Sequence, residues 1–367
     1  MTEARPVILF YHRSMEALAQ RVASHKDYQG RIKLGRIMWN TFADGFPNIK
    51  VHDEDCSSLE HHDAAFLASM REPAEIFEQL AILYALPRMR ARHFRVFVPY
   101  FSTGTMERVD AYGEVATAAT MARILSAIPS CPTGPSTVVV YDIHALQEQF
   151  YFADTVLVQL KSAVHLLRQK LASLPDKEKV SIAFPDDGAA KRFKRLVGAY
   201  PHVVCIKVRD GDARKVVVKE GEVAGRHCVI LDDLVQTGGT LIECAKALKV
   251  SAAPCHADPH GPPLGPRCAH AGDQTRCSPQ PRRVTPRRTQ EAGATTASCF
   301  VTHGVFPNQS WKRFVGTAEK PTPFHKVWIT DTVPNSAAAV EGQEPFEVLS
   351  IAPLIGNLIT GDPPLEG

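Results

Sequence analysis

Two neighbouring carboxylates beside a run of small residues form the stretch of the sequence best suited to chemistry. Residues 229–241 read V-I-L-D-D-L-V-Q-T-G-G-T-L, so that Asp232 and Asp233 directly follow an apolar stretch. This pattern predicts a buried strand, a tight loop and the start of a helix. Glycines let such a loop approach an anion closely, and the N–H groups of the loop and helix start can bind phosphate. The carboxylates suit sugar hydroxyls or a hydrated magnesium ion.

The loop after the carboxylates supplies further donors, including two hydroxyl groups. Its residues are Gln236, Thr237, Gly238, Gly239 and Thr240. With the acidic pair, this loop resembles the phosphoribosyl-binding motif of phosphoribosyltransferases and phosphoribosyl diphosphate synthetases. The resemblance implies that Asp232 and Asp233 hold ribose hydroxyls and that the loop holds the 5-phosphate. The alternative is an ordinary polar turn, but two adjacent acids on a buried strand need partners.

Three further motifs place charged side chains near the ends of predicted strands. Residues 205–212 read C-I-K-V-R-D-G-D, which puts Lys207 and Arg209 on one face of an extended segment. Two cations aimed at one point suit a phosphoryl transition state, although a solvated strand edge has the same pattern. The runs Y-D-I-H-A-L-Q and F-P-D-D-G place Asp142, His144 and Asp186 where ligands bind in open α/β sheets. A lone histidine in such a place is more often structural.

Two turns in the first half carry groups suited to a nucleotide. The run N-T-F-A-D-G-F places Phe42 and Asp44 in a turn, and P-Y-F-S-T-G-T-M-E-R ends at Arg108. The ring of Phe42 could stack on a base, and Arg108 could bind a phosphate.

Strands and helices alternate along the chain, and this order predicts parallel sheets flanked by helices. In the first half we predict strands at 7–10, 94–99 and 137–143, a helix capped by Ser14, a helix from Pro73 and a helix over about 114–128. In the second half we predict a long helix over about 156–174, strands at 180–184, 203–208, 229–231, 298–306, 326–331 and 346–350, and a closing helix at 351–360. The two similar halves predict domains at 1–152 and 153–350.

The segment 251–291 breaks this alternation. It is crowded with Pro, Arg, His and Cys and has neither a helical nor a strand period, which predicts a disordered insertion. Its cysteines and histidines could be metal ligands, but their spacings match no zinc pattern. The candidates are Cys255, His256, His260, Cys268, His270 and Cys277.

The composition excludes several classes of protein. A formal net charge of +3 over 367 residues does not indicate binding to nucleic acid or to a membrane surface, and no apolar run is long enough to span a bilayer. The nine cysteines have no regular spacing, which indicates free thiols in a reducing compartment. The N-terminal segment enters a strand without a basic and apolar leader. We therefore expect a cytoplasmic protein.

Taken together, these motifs resemble phosphoribosyl diphosphate (PRPP) synthetase over most of the chain outside 251–291. The resemblance implies two tandem phosphoribosyltransferase-like α/β domains, each a mainly parallel sheet flanked by helices, and transfer of diphosphate from ATP to ribose 5-phosphate. It further implies that Lys207 and Arg209 are the catalytic pair on a flexible loop. His144 and Asp186 match the Mg²⁺ site beside the nucleotide phosphates. Phe42 and Asp44 match an adenine-binding turn that a neighbouring subunit provides, so a homo-oligomer is expected.

The chain departs from the common family pattern at the ATP-binding turn. Where the family reads P-Y-x-P-Y-A-R-Q-D-R, Thr105 and Met106 replace the arginine and glutamine that touch ATP, while Arg108 is retained. Phe46 replaces a glutamate. The pattern is similar to the plant-type second class, which lacks phosphate activation and ADP allostery and accepts several nucleotide donors. The departures therefore bear on strict ATP specificity more than on activity.

Two other functions remain open. A phosphoribosyltransferase would share the loop at Asp232 but would need one domain and would have no use for the K-x-R pair. A non-catalytic, synthetase-like regulatory subunit would fit Thr105, Met106 and the inserted segment. Formation of AMP from ATP and ribose 5-phosphate distinguishes the synthetase from the phosphoribosyltransferase.

Overall fold

A computed structural model describes residues 5–210, 213–250, 293–317, 319 and 321–362, with residues 209, 210, 213 and 214 described by their backbone. The strands of the first half are β1 (Val7–Tyr11), β2 (Ile32–Leu34), β3 (Ile37–Thr41), β4 (Pro47–Val51), β5 (Ala64–Leu67), β6 (Phe94–Val98), β7 (Ser136–Tyr141) and β8 (Val156–Lys161). Six of them form a sheet in the order β2-β1-β5-β6-β7-β8, and every neighbouring pair is parallel. Strands β3 and β4 form a separate antiparallel hairpin.

The second half is built around a sheet of seven strands. They are β9 (Val180–Phe184), β10 (His202–Asp210), β11 (Ala213–Glu220), β12 (His227–Val235), β13 (Thr296–Gly304), β14 (Val327–Thr330) and β15 (Phe346–Leu349). Their order is β11-β10-β9-β12-β13-β14-β15, and only the β10–β11 pair at the edge is antiparallel. Central strands buried on both faces require continuous apolar runs, and β9 is buried at all five positions.

Helices cover both sheets. They are α1 (Glu16–Ser24), α2 (Asp53–Leu59), α3 (Pro73–Ala85), α4 (Thr117–Ser126), α5 (Val164–Ala172), α6 (Asp187–Phe193), α7 (Gly239–Val250), α8 (Pro334–Val340) and α9 (Ala352–Thr360). Short 3-10 helices span Arg13–Met15, Lys26–Tyr28, Leu86–Met89, Gly104–Met106, Leu146–Tyr151, Lys177–Lys179 and Pro307–Arg313. Helix α3 begins where Pro73 occupies its first turn, because the missing N–H of proline costs nothing there.

One hydrophobic core runs through both halves. It joins residues of the first sheet, such as Leu9 and Tyr141, to residues of the second, such as Phe184 and Leu231. Tyr28 of the first half donates a hydrogen bond to the carbonyl of Pro353 (2.8 Å) at the start of α9. Its ring lies where a side chain at Gly356 would be, 2.0 Å from an added Cβ. Because such an interface is apolar and closely packed, the two sheets are held in one arrangement.

The structure confirms the predicted fold class and corrects one long element. The predicted helix over 156–174 is wrong, because β8 occupies its first part and α5 its second. Residues 156–161 read V-L-V-Q-L-K, and this run pairs along its length with β7. Its β-branched residues favour a strand, and the pairing with β7 decides for the strand period against the helical period. The pairing places β8 in the first sheet, while the domain division at residue 152 stays a prediction.

Smaller differences concern element ends and caps. The helix expected over 114–128 begins three residues later, at Thr117. Ser14 is not a helix cap, because it lies inside a 3-10 helix whose preceding residue, His12, accepts the N–H of Ser14. The strand expected at 203–208 extends to Asp210 and belongs to a hairpin. The closing helix is confirmed as α9, and β2–β5, β11, α2 and α8 were not predicted.

Other expectations concern the insertion, the cysteines and the membrane. Segment 251–291, with its candidate metal ligands, lies outside the described residues. All six cysteines that the structure describes are free thiols. Among the described helices, none is long and apolar enough to cross a membrane.

Candidate active site

A cleft of about 710 Å³ lies where the carboxyl ends of strands from both sheets meet. The first half contributes the segments after β6 and β7, and the second half contributes β10, β12 and α6. Ligands bind at this end of parallel sheets because the strand ends diverge there into loops. The residues that line the cleft are Glu107, Arg108, His144, Ala145, Leu146, Gln147, Tyr151, Asp186, Gly188, Lys191, Arg192, Lys207, Asp232, Asp233, Leu234 and Thr240.

The acidic pair lies inside β12, not beyond its end, and one arginine neutralises it. Arg192 of α6 donates to Asp232 Oδ1 (3.2 Å) and to Asp233 Oδ1. It also donates to the backbone carbonyl of His144 (3.0 Å). A buried pair of like charges is unfavourable unless cations and donors compensate it, so Arg192 makes the pair possible.

Arg192 is a residue of the site that the sequence motifs do not predict. Its side chain is only 15% exposed, and its guanidinium touches both halves of the molecule. In the sequence it is one of two basic residues in the last turn of a short helix, where cations usually face water and favour the helix dipole. Only the tertiary position of Asp232 and Asp233 distinguishes it from Lys191 beside it.

His144 connects the two halves through the same acidic pair. Its Nδ1 lies 2.7 Å from Asp233 Oδ2, and Asp233 is 2% exposed. The hydrogen bond to Asp233 raises the pKa of His144, in spite of the opposing effect of burial. Burial alone would raise the pKa of Asp233, but the His144 hydrogen bond and the Arg192 charge lower it below its usual value.

The other carboxyl of the pair behaves in the opposite way. Burial, together with the negative charge of Asp233, raises the pKa of Asp232 well above its ordinary value. Two adjacent carboxyls with opposite shifts share charge unequally, and the more acidic one is the partner of His144. The pKa of Asp233 is therefore lower than that of Asp232, and the two carboxyls of the site differ in acidity.

The small-residue loop encloses a second cavity of about 350 Å³, which Thr105 and residues 234–241 line with Asp232. Gly238 has φ +75°, and a Cβ added there would lie 2.3 Å from the ring of Phe314, so only glycine fits. Gly239 has ordinary backbone angles and room for a Cβ, with Thr237 Oγ1 at 4.0 Å. A short helix on the outside holds the loop: Ser310 donates to the carbonyl of Gln236 (2.6 Å), and Arg313 to that of Thr237 (2.6 Å).

The predicted cation pair lies on the edge hairpin. Lys207 lines the larger cleft from β10, opposite Val216 of β11. Arg209 is two residues further along the same strand. The resemblance implied a flexible loop here, and in the structure the pair lies in a two-stranded antiparallel ribbon.

Asp186 and His144 line the same cleft, as the predicted metal site requires. Asp186 also caps α6, where its Oδ1 accepts the N–H of Ala189 (2.9 Å). In the part of the chain that the structure describes, no group of three or more His, Cys, Asp or Glu could hold a metal ion. The two side chains could thus provide only part of a coordination shell.

The residues predicted to bind ATP are only partly brought together. Arg108 lines the larger cleft and forms an exposed ion pair with Asp110 (2.9 Å), and Thr105 lines the smaller cavity. Met106 lies on the exposed surface beside them. Phe42 is 55% exposed, and with Asp44 it occupies the turn between β3 and β4; neither residue lines either cavity.

Comparisons with known proteins agree with this geometry. Residues 7–128 match the model of a family described as the N-terminal domain of ribose phosphate pyrophosphokinase, and residues 152–254 match a phosphoribosyl transferase domain. The chain is 45% identical over 361 residues to ribose-phosphate pyrophosphokinase 4 of Arabidopsis thaliana, covering 97% of this chain and 93% of the relative. It is 44% identical to ribose-phosphate pyrophosphokinase 4 of Oryza sativa subsp. japonica, covering 97% and 96%.

A solved structure shares the fold. The phosphoribosylpyrophosphate synthetase of Mycobacterium smegmatis aligns with a TM-score of 0.68 over 96% of this chain and 97% of that chain. Its sequence identity is 23%, so this likeness concerns the fold alone.

The His144–Asp233 contact gives a pH dependence that can be measured. Since the pKa of His144 is raised on folding, the contact stabilises the fold fully below about pH 6.5, and this contribution is lost as pH rises through the raised value. We expect Asp233→Asn to lower the pKa of His144, as measured by NMR titration of the imidazole, and to remove that part of the pH dependence of unfolding. Asp187→Asn, an exposed carboxylate at the start of the same helix as Arg192, is the control and should leave the titration unchanged. An unaltered His144 pKa in Asp233→Asn would contradict the assigned contact.

Proposed function

The chain belongs to the ribose-phosphate pyrophosphokinase family, and from this premise we propose how its cleft carries out the family reaction. The protein transfers diphosphate from ATP to ribose 5-phosphate and releases 5-phosphoribosyl 1-diphosphate and AMP. One observation supports the assignment of the site above all others. The phosphate loop with its acidic pair and the cationic side chains Lys207 and Arg192 open into adjoining cavities that share Asp232, Leu234 and Thr240.

The smaller cavity suits ribose 5-phosphate. Residues 236–240 surround a space next to the start of α7, where backbone N–H groups and the helix dipole favour an anion. Asp232 lines both this cavity and the larger cleft, so a sugar held by its carboxylate would present its anomeric carbon towards the cleft. We assign Asp232 and Asp233 to the ribose hydroxyls, and Gln236, Thr237, Gly238, Gly239 and Thr240 to the 5-phosphate.

The larger cleft suits the nucleotide phosphates. Lys207, Arg192, Lys191 and Arg108 bring positive charge to one cavity, and His144 faces the same space. In diphosphate transfer the anomeric hydroxyl attacks the β-phosphorus, the bond between the α- and β-phosphates breaks, and AMP leaves. The protein has to align two anionic substrates and stabilise charge on the oxygens. We assign this stabilisation to Lys207 and Arg209, while His144 and Arg192 line the same cleft.

Magnesium fits the donors that are present. Mg²⁺ keeps several waters and binds through one or two protein groups plus substrate phosphates, so two side chains are sufficient. His144 and Asp186 line the cleft. Because the Nδ1 of His144 contacts Asp233, the nitrogen of this ring that would bind the ion is Nε2. When bound, the ion would neutralise phosphate charge and polarise the transferred group.

The nucleotide base is proposed to bind between subunits. Phe42 and Phe46 are 55% and 64% exposed in the turn of the β3–β4 hairpin, and neither lines the cleft of the same molecule. An exposed aromatic pair at a hairpin tip suits a partner surface better than solvent. We therefore propose a homo-oligomer in which Phe42 and Asp44 complete the site of a neighbour, while Thr105, Met106 and Arg108 set the choice of donor.

We also propose a cytoplasmic location, which the free thiols of the described residues support.

The assay for the function itself is direct. Purified full-length protein with Mg²⁺, ATP and ribose 5-phosphate should form AMP and 5-phosphoribosyl 1-diphosphate in equal amounts, as measured by chromatography. Omission of ribose 5-phosphate should abolish AMP formation, which separates the reaction from ATP hydrolysis. Release of diphosphate only when 5-phosphoribosyl 1-diphosphate and a nucleobase are supplied would favour a phosphoribosyltransferase. No AMP from any nucleoside triphosphate would favour a regulatory subunit.

Removing one cation tests the transfer step. Lys207→Ala should lower kcat by roughly 100- to 1,000-fold with a smaller effect on either KM, because charge that develops in the transition state loses a donor. Lys215→Ala is the matched control, since Lys215 is an exposed lysine on the same hairpin, opposite Val208. It should retain kcat within about three-fold. Equal kcat values for Lys207→Ala and the unmodified protein would refute the role of Lys207.

Two adjacent glycines provide an internal comparison at the phosphate loop. Gly238→Ala should raise the KM for ribose 5-phosphate at least about ten-fold, because the left-handed backbone and Phe314 leave no room for a methyl group. Gly239→Ala meets no such obstacle and should have a clearly smaller effect. If both variants raise this KM equally, strain at Gly238 is not what shapes the loop.

A further inference from the structure

Behind the cleft, a second set of contacts joins the two sheets. Strand β7 ends at Tyr141, and Asp142 then takes φ +36°, the left-handed region that a residue other than glycine rarely occupies. Asp142 is 8% exposed. A buried, strained acid next to an active site needs a compensating contact.

The compensating contact comes from the other half of the molecule. Thr302 of β13, which is fully buried, donates its hydroxyl to Asp142 Oδ2 (2.6 Å). The same oxygen accepts the N–H of Ala163 (2.9 Å), which ties it to the segment between β8 and α5. Losing a hydrogen bond in a dry setting leaves buried polar groups without partners, so this bond fixes the end of β7 against β13.

A neighbouring pair supports the same junction. His303 follows Thr302, and its Nε2 donates to the backbone carbonyl of Tyr141 (3.1 Å). Its Nδ1 lies 3.0 Å from the hydroxyl of Thr332, whose Oγ1 donates to the carbonyl of Thr302 (2.9 Å). The end of β7 is therefore held at two consecutive residues by two consecutive residues of β13.

This junction and the His144–Asp233 contact are two neighbouring contacts that join the segment after β7 to the second sheet. On one side, Asp142 and His144 are two residues apart. On the other side, β12 and β13 are paired so that Asp232 is opposite Val301 and Leu234 is opposite His303, which puts Thr302 beside Asp233. The buried hydrogen bond between Asp142 and Thr302 thus sets where the His144–Asp233 contact, which faces the cleft, can form.

We propose that Asp142 and Thr302 are positioning residues, which hold His144 on Asp233 and so fix the separation between the nucleotide phosphates and the sugar phosphate. The proposal rests on the proposed function for its kinetic consequence. Neither residue has to touch a substrate. A shift of about 1 Å at a reacting centre can cost about 100-fold in rate. Loss of the Asp142–Thr302 hydrogen bond should therefore reduce kcat more than it changes KM.

The test removes one hydroxyl. Thr302→Val should lower kcat roughly 10- to 100-fold while both KM values stay within about three-fold, and Thr302→Ser, which keeps the hydroxyl, should remain close to the unmodified protein. Ser298→Ala is the matched control: Ser298 is fully buried on the same strand, and its hydroxyl bonds to His227 (2.9 Å) within the second half. It can lower the melting temperature as much as Thr302→Val but should leave kcat within about three-fold.

Two further measurements show whether the effect passes through His144. In a His144→Ala background, Thr302→Val should cause little additional loss of kcat. Independently of turnover, the NMR shifts of the His144 imidazole should change in Thr302→Val and stay constant in Ser298→Ala. An equal loss of kcat in both backgrounds, or unchanged His144 shifts, would overturn the positioning role. Absence of AMP formation in the unmodified protein would instead overturn the proposed function, and the His144 shifts would still decide the positioning.

Discussion

The structure depends on a buried carboxylate, Asp233, that two cationic or hydrogen-bonding groups approach from opposite sides. His144 reaches it from the segment after β7 in the first half, and Arg192 reaches it from α6 in the second half. An ionised carboxylate at this depth would be strongly destabilising alone, so the two sheets must stay together for the charge to be tolerated. The apolar core shared by the sheets supplies most of the attraction, and the charged contacts fix the register. The cleft exists because these requirements are met at the same place.

The two ends of strand β12 have different roles, one in the core and one in the cleft. The first part of β12 is buried between β9 and β13, and its last part carries Asp232 and Asp233 into the cleft before the loop at Gly238 begins. The acids, the phosphate loop and the start of α7 are therefore set by a single rigid strand. Functional groups on rigid elements are positioned more accurately than groups on loops, which is what a transfer between two anionic substrates needs. The edge hairpin that bears Lys207 is paired to the sheet on one side only, at β9.

Much of this site could be predicted from the sequence because its parts are local. The strand, loop and helix around Asp232 follow from composition within thirteen residues, and His144 and Asp186 follow from their position after apolar runs. Arg192 could not be found in this way, because its partners are 40 and 41 residues away and its own neighbourhood is an ordinary basic helix end. The same holds for Thr302, which looks like any strand residue until Asp142 is placed opposite it.

Strand β8 was mistaken for a helix, since a short apolar run fits both the helical and the strand period. Only its pairing with β7 decides between them. The first sheet and its hairpin were harder to predict, because β2, β3 and β4 are short and partly exposed.

The most direct measurement is a crystal structure of the protein with Mg²⁺, ribose 5-phosphate and a non-hydrolysable ATP analogue. We expect the 5-phosphate on residues 236–240, the analogue's phosphates between Lys207 and His144, and the anomeric oxygen about 3–3.5 Å from the β-phosphorus. A nucleotide bound outside this cleft, or a sugar whose anomeric oxygen points away from it, would contradict the account.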